Sequence, residues 1–225
     1  PAAWARVAYL REITGDLEGA LQLLRMSLAS TGKVQTEDRA WLLVQIGHLE
    51  DLMGSADEAQ RTWRAALEAF PGYHYALTAL AQAASTSGRA AEAEELSRQA
   101  ITAAPHAERY LILADALRAQ GRETEARAAE GLFESLSLAN TFGSDNENHD
   151  LVLYYLERRE EPAKALEIAR REAGVRRDLH TLDRLALALH RNGRIRQARR
   201  LERQVVGTGT RDLLIAQHAE QIGSD

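Results

Sequence analysis

Cysteine is absent from the 225 residues, which excludes disulfides, thiolate catalysis and cysteine-ligated zinc. Aromatic residues make up only 5% of the chain, proline occurs 4 times, and β-branched runs of alternating polarity are scarce, so a strand-rich fold is not expected. No apolar run approaches the ~18 residues that a membrane-crossing helix requires. Lysine is nearly missing: of 28 cationic residues only Lys33 and Lys164 are not arginine, a bias we attribute to a GC-rich genome rather than to function. The formal net charge of −5 argues against a chain-wide basic surface for nucleic acid. No basic, apolar, small-residue leader pattern opens the sequence. The compartment stays open, with the cytoplasm slightly favoured and export compatible should a leader have been removed.

What is present is alanine, leucine and charge, with 45% hydrophobic and 27% charged residues, the composition of a globular helical chain with a sizeable core. The charge is uneven. Residues 1–150 hold 13 Lys+Arg against 22 Asp+Glu, and residues 151–225 hold 15 against 11, so the last third is mildly basic.

Punctuation recurs along the chain. Gly15, Gly54, Gly88, Gly121 and Gly193 each precede an alanine by five residues: Ala20, Ala59, Ala93, Ala126 and Ala198. A sixth unit keeps Ala165 and has Glu160 in place of the glycine. The anchors lie 39, 34, 33, 39 and 33 residues apart, which predicts six helical hairpins. A tight turn between two helices calls for a residue that tolerates positive φ, which accounts for the glycine. The alanine, facing Ala8, Gly47, Ala81, Ala114 or Ala186 on the preceding helix, lets paired helices approach closely. Pro71 and Pro105 end second helices. Ser55 and Glu58 read as a capping box.

This pattern resembles the tetratricopeptide repeat, a helix-turn-helix unit of about 34 residues. The second unit carries Ile46-Gly47, Gly54, Ala59, Trp63, Ala66-Leu67 and Pro71, and the third Leu80-Ala81, Gly88, Ala93, Ala100-Ile101 and Pro105. The first has Trp4, Val7-Ala8, Gly15 and Ala20, the fourth Tyr110, Leu113-Ala114, Gly121 and Ala126, and the fifth and sixth are degenerate. The resemblance implies an all-α, right-handed solenoid of antiparallel helix pairs, with residues 210–223 as a C-terminal helix covering the last pair. Residues 1–140 would hold four repeats and residues 141–225 two more, in one continuous solenoid. Two polar stretches exceed the period: 30–39, expected to be a long loop, and 140–150, expected to be a bend or hinge.

The resemblance also implies a function, a non-enzymatic scaffold or adaptor that binds a peptide or helix of a partner protein. The first helix of each unit lines the groove in this family. Transferring that frame places Tyr9, Trp41, Gln45, His48, Tyr75, Gln82, Asp115, Arg118, Tyr154, Arg184 and His190 there. Trp41 and Tyr75 stand out as interface anchors, whereas Trp4, Trp63 and Tyr110 fall at the family's packing positions. The Lys/Asn carboxylate clamp of chaperone-binding members is replaced by Ala5, Tyr9, His48, Tyr75 and Ala79, so no clamp binding is expected.

No catalytic motif is present, neither a nucleophile elbow nor a zinc-protease helix nor a phosphate loop. His149, His180, Asp183 and His190 could be assembled into a metal site, but helix capping and packing explain them more simply. Arg191, Arg194, Arg196, Arg199, Arg200 and Arg203 form a basic run without interleaved aromatics. It reads as a solvated face paired with Glu157, Glu160 and Glu161 rather than a nucleic-acid site. The expected partner is therefore a protein or peptide, with no nucleic acid, no membrane span and no cofactor. Self-association through the terminal helix, where Leu213, Leu214 and Ile215 leave apolar surface, stays open. So do two alternatives: a peptide-responsive sensor hinged at 140–150, and the repeat region of a larger multidomain protein.

Overall fold

The computed structural model describes residues 2–143 and 148–223. The residues it describes form 13 α-helices and no strand. They divide into two compact units, Pro1–Arg11 with Asp16–Leu138, and Glu12–Gly15 with Ala139–Asp225. In the first unit the hairpins are α1 (Ala2–Ile13) with α2 (Leu17–Ser30), α3 (Thr36–Leu52) with α4 (Ala56–Ala69), α5 (His74–Thr86) with α6 (Ala90–Ala103), and α7 (Ala107–Ala119) with α8 (Glu123–Ala139). The second unit holds α9 (Asn148–Glu157) with α10 (Pro162–Val175), α11 (Leu179–Arg191) with α12 (Ile195–Val206), and α13 (Leu213–Gly223).

The turns are built as the sequence predicts. Gly15, Gly54, Gly88, Gly121 and Gly193 have φ of 84°, 81°, 73°, 75° and 71°. After Gly54 the N–H of Ser55 donates to the Glu50 carbonyl at 2.8 Å, and Arg89, Arg122 and Arg194 repeat this bond to Ala84, Leu117 and Leu189 at 2.8, 3.0 and 2.9 Å. Each bond satisfies a carbonyl that the helix end leaves open. In the degenerate unit Glu160 takes over the left-handed position at φ 52°, the only non-glycine with positive φ among the described residues. A Cβ costs roughly 1–2 kcal/mol in that conformation. Glu160→Gly is therefore expected to stabilise the second unit by about 1 kcal/mol, read as a rise of a few degrees in melting temperature. An unchanged or lowered melting temperature would show that Glu160 contributes more through its side chain than its backbone costs.

The small residues are the points where helices cross. Ala20, Ala59, Ala93, Ala126, Ala165 and Ala198 are all 0% exposed, and Ala8, Gly47, Ala81, Ala114 and Ala186 are buried opposite them. Trp63 packs with Ala40, Val44, Ala59, Ala66, Tyr73, Ala76 and Leu80, and its indole Nε1 donates to the Val44 carbonyl at 3.2 Å. Helices α4 and α6 stop two residues before Pro71 and Pro105, whose rings cannot continue a helix.

Four local expectations are corrected. The stretch 30–39 is not a long loop: the gap between α2 and α3 covers 31–35, and the extra residues lengthen α3, whose first turn carries Glu37 and Asp38 where the helix dipole favours them. Arg39 Nη1 ties that start to the end of α2 by donating to the Thr31 carbonyl at 3.0 Å. Ser55 occupies the N-cap of α4 but its hydroxyl makes no capping bond, so the capping box does not form. Its carbonyl still accepts from the Ala59 N–H at 3.0 Å. Trp4 is 46% exposed rather than core, because the buried face of α1 is carried by Ala8. Ile215 is 1% exposed, so of the three apolar residues expected at the surface of α13 only Leu213 and Leu214 are there. Of the hinge expected at 140–150, residues 144–147 lie outside the described residues.

Candidate functional site

Helix α3 places Trp41, Gln45 and His48 four and three residues apart, hence on one face. Trp41 is 38% exposed, His48 is exposed and Gln45 is half-buried. Glu37 and Asp38 precede Trp41 by four and three residues on that face, both exposed, and neither forms an ion pair. Arg39, next along α3, is turned to the Leu28 and Thr31 carbonyls at 3.3 and 3.0 Å.

Next in the stack, α5 starts in an aromatic cluster. Tyr75 is 50% exposed, with ring centroids 5.5 Å from Tyr73 and 4.1 Å from His74, while Phe70 meets Tyr73 edge-on at 5.7 Å. Burial raises the Tyr73 hydroxyl to about 12, with Tyr75 and the Glu37 and Asp38 carboxylates adding to the rise. Those carboxylates thus belong to the same neighbourhood as the aromatic cluster. Burial also lowers His74 below the usual imidazole value, and the Arg109 guanidinium lowers it further. Arg109 is buried and committed to the interior: Nε donates to Thr78 Oγ1 at 3.0 Å, Nη2 lies 2.8 Å from His74 Nδ1, and Nη1 binds the Ala104 carbonyl. It anchors α7 to α5, a role the sequence alone does not disclose.

The other expected groove residues divide. Tyr9 on α1 is 49% exposed and Gln82 on α5 is exposed. Asp115 and Arg118 on α7 are half-buried, and Arg118 is held by Asp115 at 3.4 Å, Glu123 at 3.4 Å and Glu130 at 2.9 Å. In the second unit His190 is half-buried, but Tyr154 and Arg184 are only 4% and 7% exposed. Tyr154 packs edge-on against Tyr155 at 5.4 Å and Arg184 is ion-paired with Asp183, so both are core residues and not lining. The family frame fails at these two positions because the fifth and sixth units are degenerate.

The histidines of the second unit act as packing and capping groups. Asp178 caps α11 by accepting the Thr181 N–H at 3.0 Å and its hydroxyl at 2.7 Å, and His149 Nε2 lies 2.9 Å from that hydroxyl. Burial holds His149 below the usual imidazole range, and Thr181 together with the His149 charge holds Asp178 below the usual carboxylate range despite its burial. Among the described residues no three His, Asp or Glu side chains converge on a metal position. The arginine run makes no ion pair with Glu157, Glu160 or Glu161. Instead Arg191 donates to Gln221 Oε1 and Arg199 to the Ile222 carbonyl, each at 3.2 Å, fastening α13.

Within each unit, helical hairpins with left-handed turn residues and buried alanine crossings recur. The family model for the tetratricopeptide repeat matches residues 74–106, which are α5 and α6. The solved structure of a thermophilic TPR protein from Thermus thermophilus aligns over 83% of this chain and 100% of its own at 17% identity, with a TM-score of 0.59, and so shares the fold. Pseudomonas aeruginosa pilF aligns over 87% of each chain at 22% identity with a TM-score of 0.49. The MamA protein aligns over 75% of this chain and 91% of its own at 20% identity and 0.41. No curated protein matches significantly. Proteins with this repeat generally serve as protein–protein interaction scaffolds without enzymatic activity, and no helix of the described residues is long and apolar enough to cross a membrane.

Proposed function

We propose that the protein is a non-enzymatic adaptor that holds an extended peptide segment of a partner protein against the first helices of its first unit. The observation that carries this reading is the exposure of Trp41 and Tyr75 on successive first helices, since large aromatics are over-represented among residues that anchor interfaces. His48, Gln45 and Gln82 supply hydrogen-bonding groups along the same two helices, and Tyr9 extends the row to α1. Glu37 and Asp38, unpaired beside the aromatics, favour a segment that bears arginine or lysine, because a cation gains from both the carboxylates and the aromatic faces.

The test is affinity capture from the native organism's lysate with the wild-type chain and a Trp41→Ala/Tyr75→Ala variant of equal helicity. A protein retained by the first and lost from the second supports the reading, and identical captures reject it. Glu37→Gln/Asp38→Asn is expected to weaken the captured partner about tenfold at low salt and much less at high salt, as screening requires. Equal weakening at both salt concentrations would remove the cationic preference while leaving the aromatic anchors in place. Titration with an acidic C-terminal peptide is expected to give no micromolar binding, given His48 and Tyr75 where a carboxylate clamp needs amide and cationic donors.

A further inference from the structure

The second unit buries a group of charges that the proposed interaction surface does not use. Asp183 and Arg184 on α11, Glu202 on α12 and His218 on α13 are 0%, 7%, 5% and 1% exposed. Asp183 Oδ2 is ion-paired with Arg184 Nη1 and lies 2.8 Å from His218 Nδ1, so the C-terminal helix is fastened through a carboxylate in the core. Glu202 is the odd member. Neither of its oxygens has a hydrogen-bond partner, and Asp183 Oδ1 and His218 Nε2 are likewise unmatched. These groups do not converge as metal ligands. An ionised carboxylate without donors in such a place is costly, whereas the neutral acid is tolerated. Burial, reinforced by the Asp183 charge, accordingly raises Glu202 to about 7.

We propose that Glu202 makes the docking of α13 proton-sensitive, the helix staying seated on α11 and α12 while Glu202 is neutral and loosening when it ionises. The charge that acts on it is Asp183 from α11, which is itself paired with Arg184 on the same helix and with His218 from α13. On its own helix Arg199 is turned to the Ile222 carbonyl and leaves Glu202 uncompensated. Loosening exposes Ile215 and Ile222, both 1% exposed when docked, together with the surface they cover. The second unit thereby carries an apolar strip whose availability follows pH.

The sign follows from proton counting. With α13 open, Glu202 is solvated and titrates near its ordinary 4.5, and with α13 docked it titrates near 7. Between these values the docked state holds one more proton than the open state. Opening therefore grows by up to about tenfold per pH unit across that window, is constant below it and levels off above it.

Hydrogen–deuterium exchange of α13 amides in the full chain, from pH 4.5 to 8 and corrected for intrinsic exchange, measures this equilibrium. The wild type is expected to lose protection through the window by a total on the order of a hundredfold. Glu202→Gln, which fixes the neutral state, is expected to give a flat profile, and Glu202→Ala is expected to do the same should the glutamine variant fold poorly. A flat wild-type profile overturns the proposal. A slope that persists in both variants overturns it as well, because another group would then be responsible.

Discussion

Trp63→Ala is expected to destabilise the first unit by about 3–5 kcal/mol, the range for removing a large buried aromatic. Its indole is 5% exposed, touches core residues contributed by α3, α4 and α5, and spends its one N–H on the Val44 carbonyl. Urea unfolding followed by helical circular dichroism measures the loss, and a cost below about 1 kcal/mol would mean that the hairpins do not depend on this contact. The partner position sharpens the test. A Cβ added at Gly47 would lie 2.4 Å from Trp63 Nε1 and 2.6 Å from Cδ1, a rigid ring that cannot move aside without disturbing its neighbours. Gly47→Ala therefore costs roughly 1–3 kcal/mol through overpacking, even though alanine favours a helix by about 1 kcal/mol over glycine. Combining it with Trp63→Phe, a smaller ring with no N–H, is expected to cost less than the sum of the two, and strict additivity would contradict the contact.

Arg184→Met is expected to cost about 3–5 kcal/mol in the second unit, because it strands the Asp183 carboxylate in a site with 0% exposure. His218 remains beside Asp183 Oδ2 at 2.8 Å but leaves Oδ1 without a partner. A groove residue would behave otherwise, losing partner binding with stability intact. Denaturant unfolding and partner capture performed on the same variant separate the two roles. A stable Arg184→Met protein that no longer binds its partner would return Arg184 to the interaction surface.

The fold is legible because its determinants are local and periodic. Glycine at the turn and alanine five residues later are requirements of backbone conformation and helix spacing, and each recurs often enough to be read without knowing the packing. The structure keeps even the exception, with Glu160 adopting the glycine conformation. What escapes the sequence depends on neighbours far along the chain. Arg184 and Tyr154 occupy register positions that line the groove in regular repeats, but the degenerate units turn them inward. Glu202 reads as one more charge in an arginine-rich helix, and only the packing of α11 and α13 against it reveals a buried acid. Arg109 likewise binds Thr78 and His74, 31 and 35 residues away, through contacts that no local pattern encodes. The 30–39 stretch misleads because its polar composition suits a loop and a helix N-terminus equally well. Trp4 shows the limit of the family frame, since it is 46% exposed while Ala8 carries the buried face of α1.

Photo-crosslinking tests whether first-helix aromatics of the first unit meet the partner. A photoreactive phenylalanine analogue placed singly at positions 41 and 75, and for comparison at the exposed second-helix positions Arg61 and Gln99, is irradiated with the partner present. Adducts of one and the same protein are expected from 41 and 75, and none from 61 and 99. Adducts confined to 61 and 99 would contradict this and move the interaction surface to the second helices.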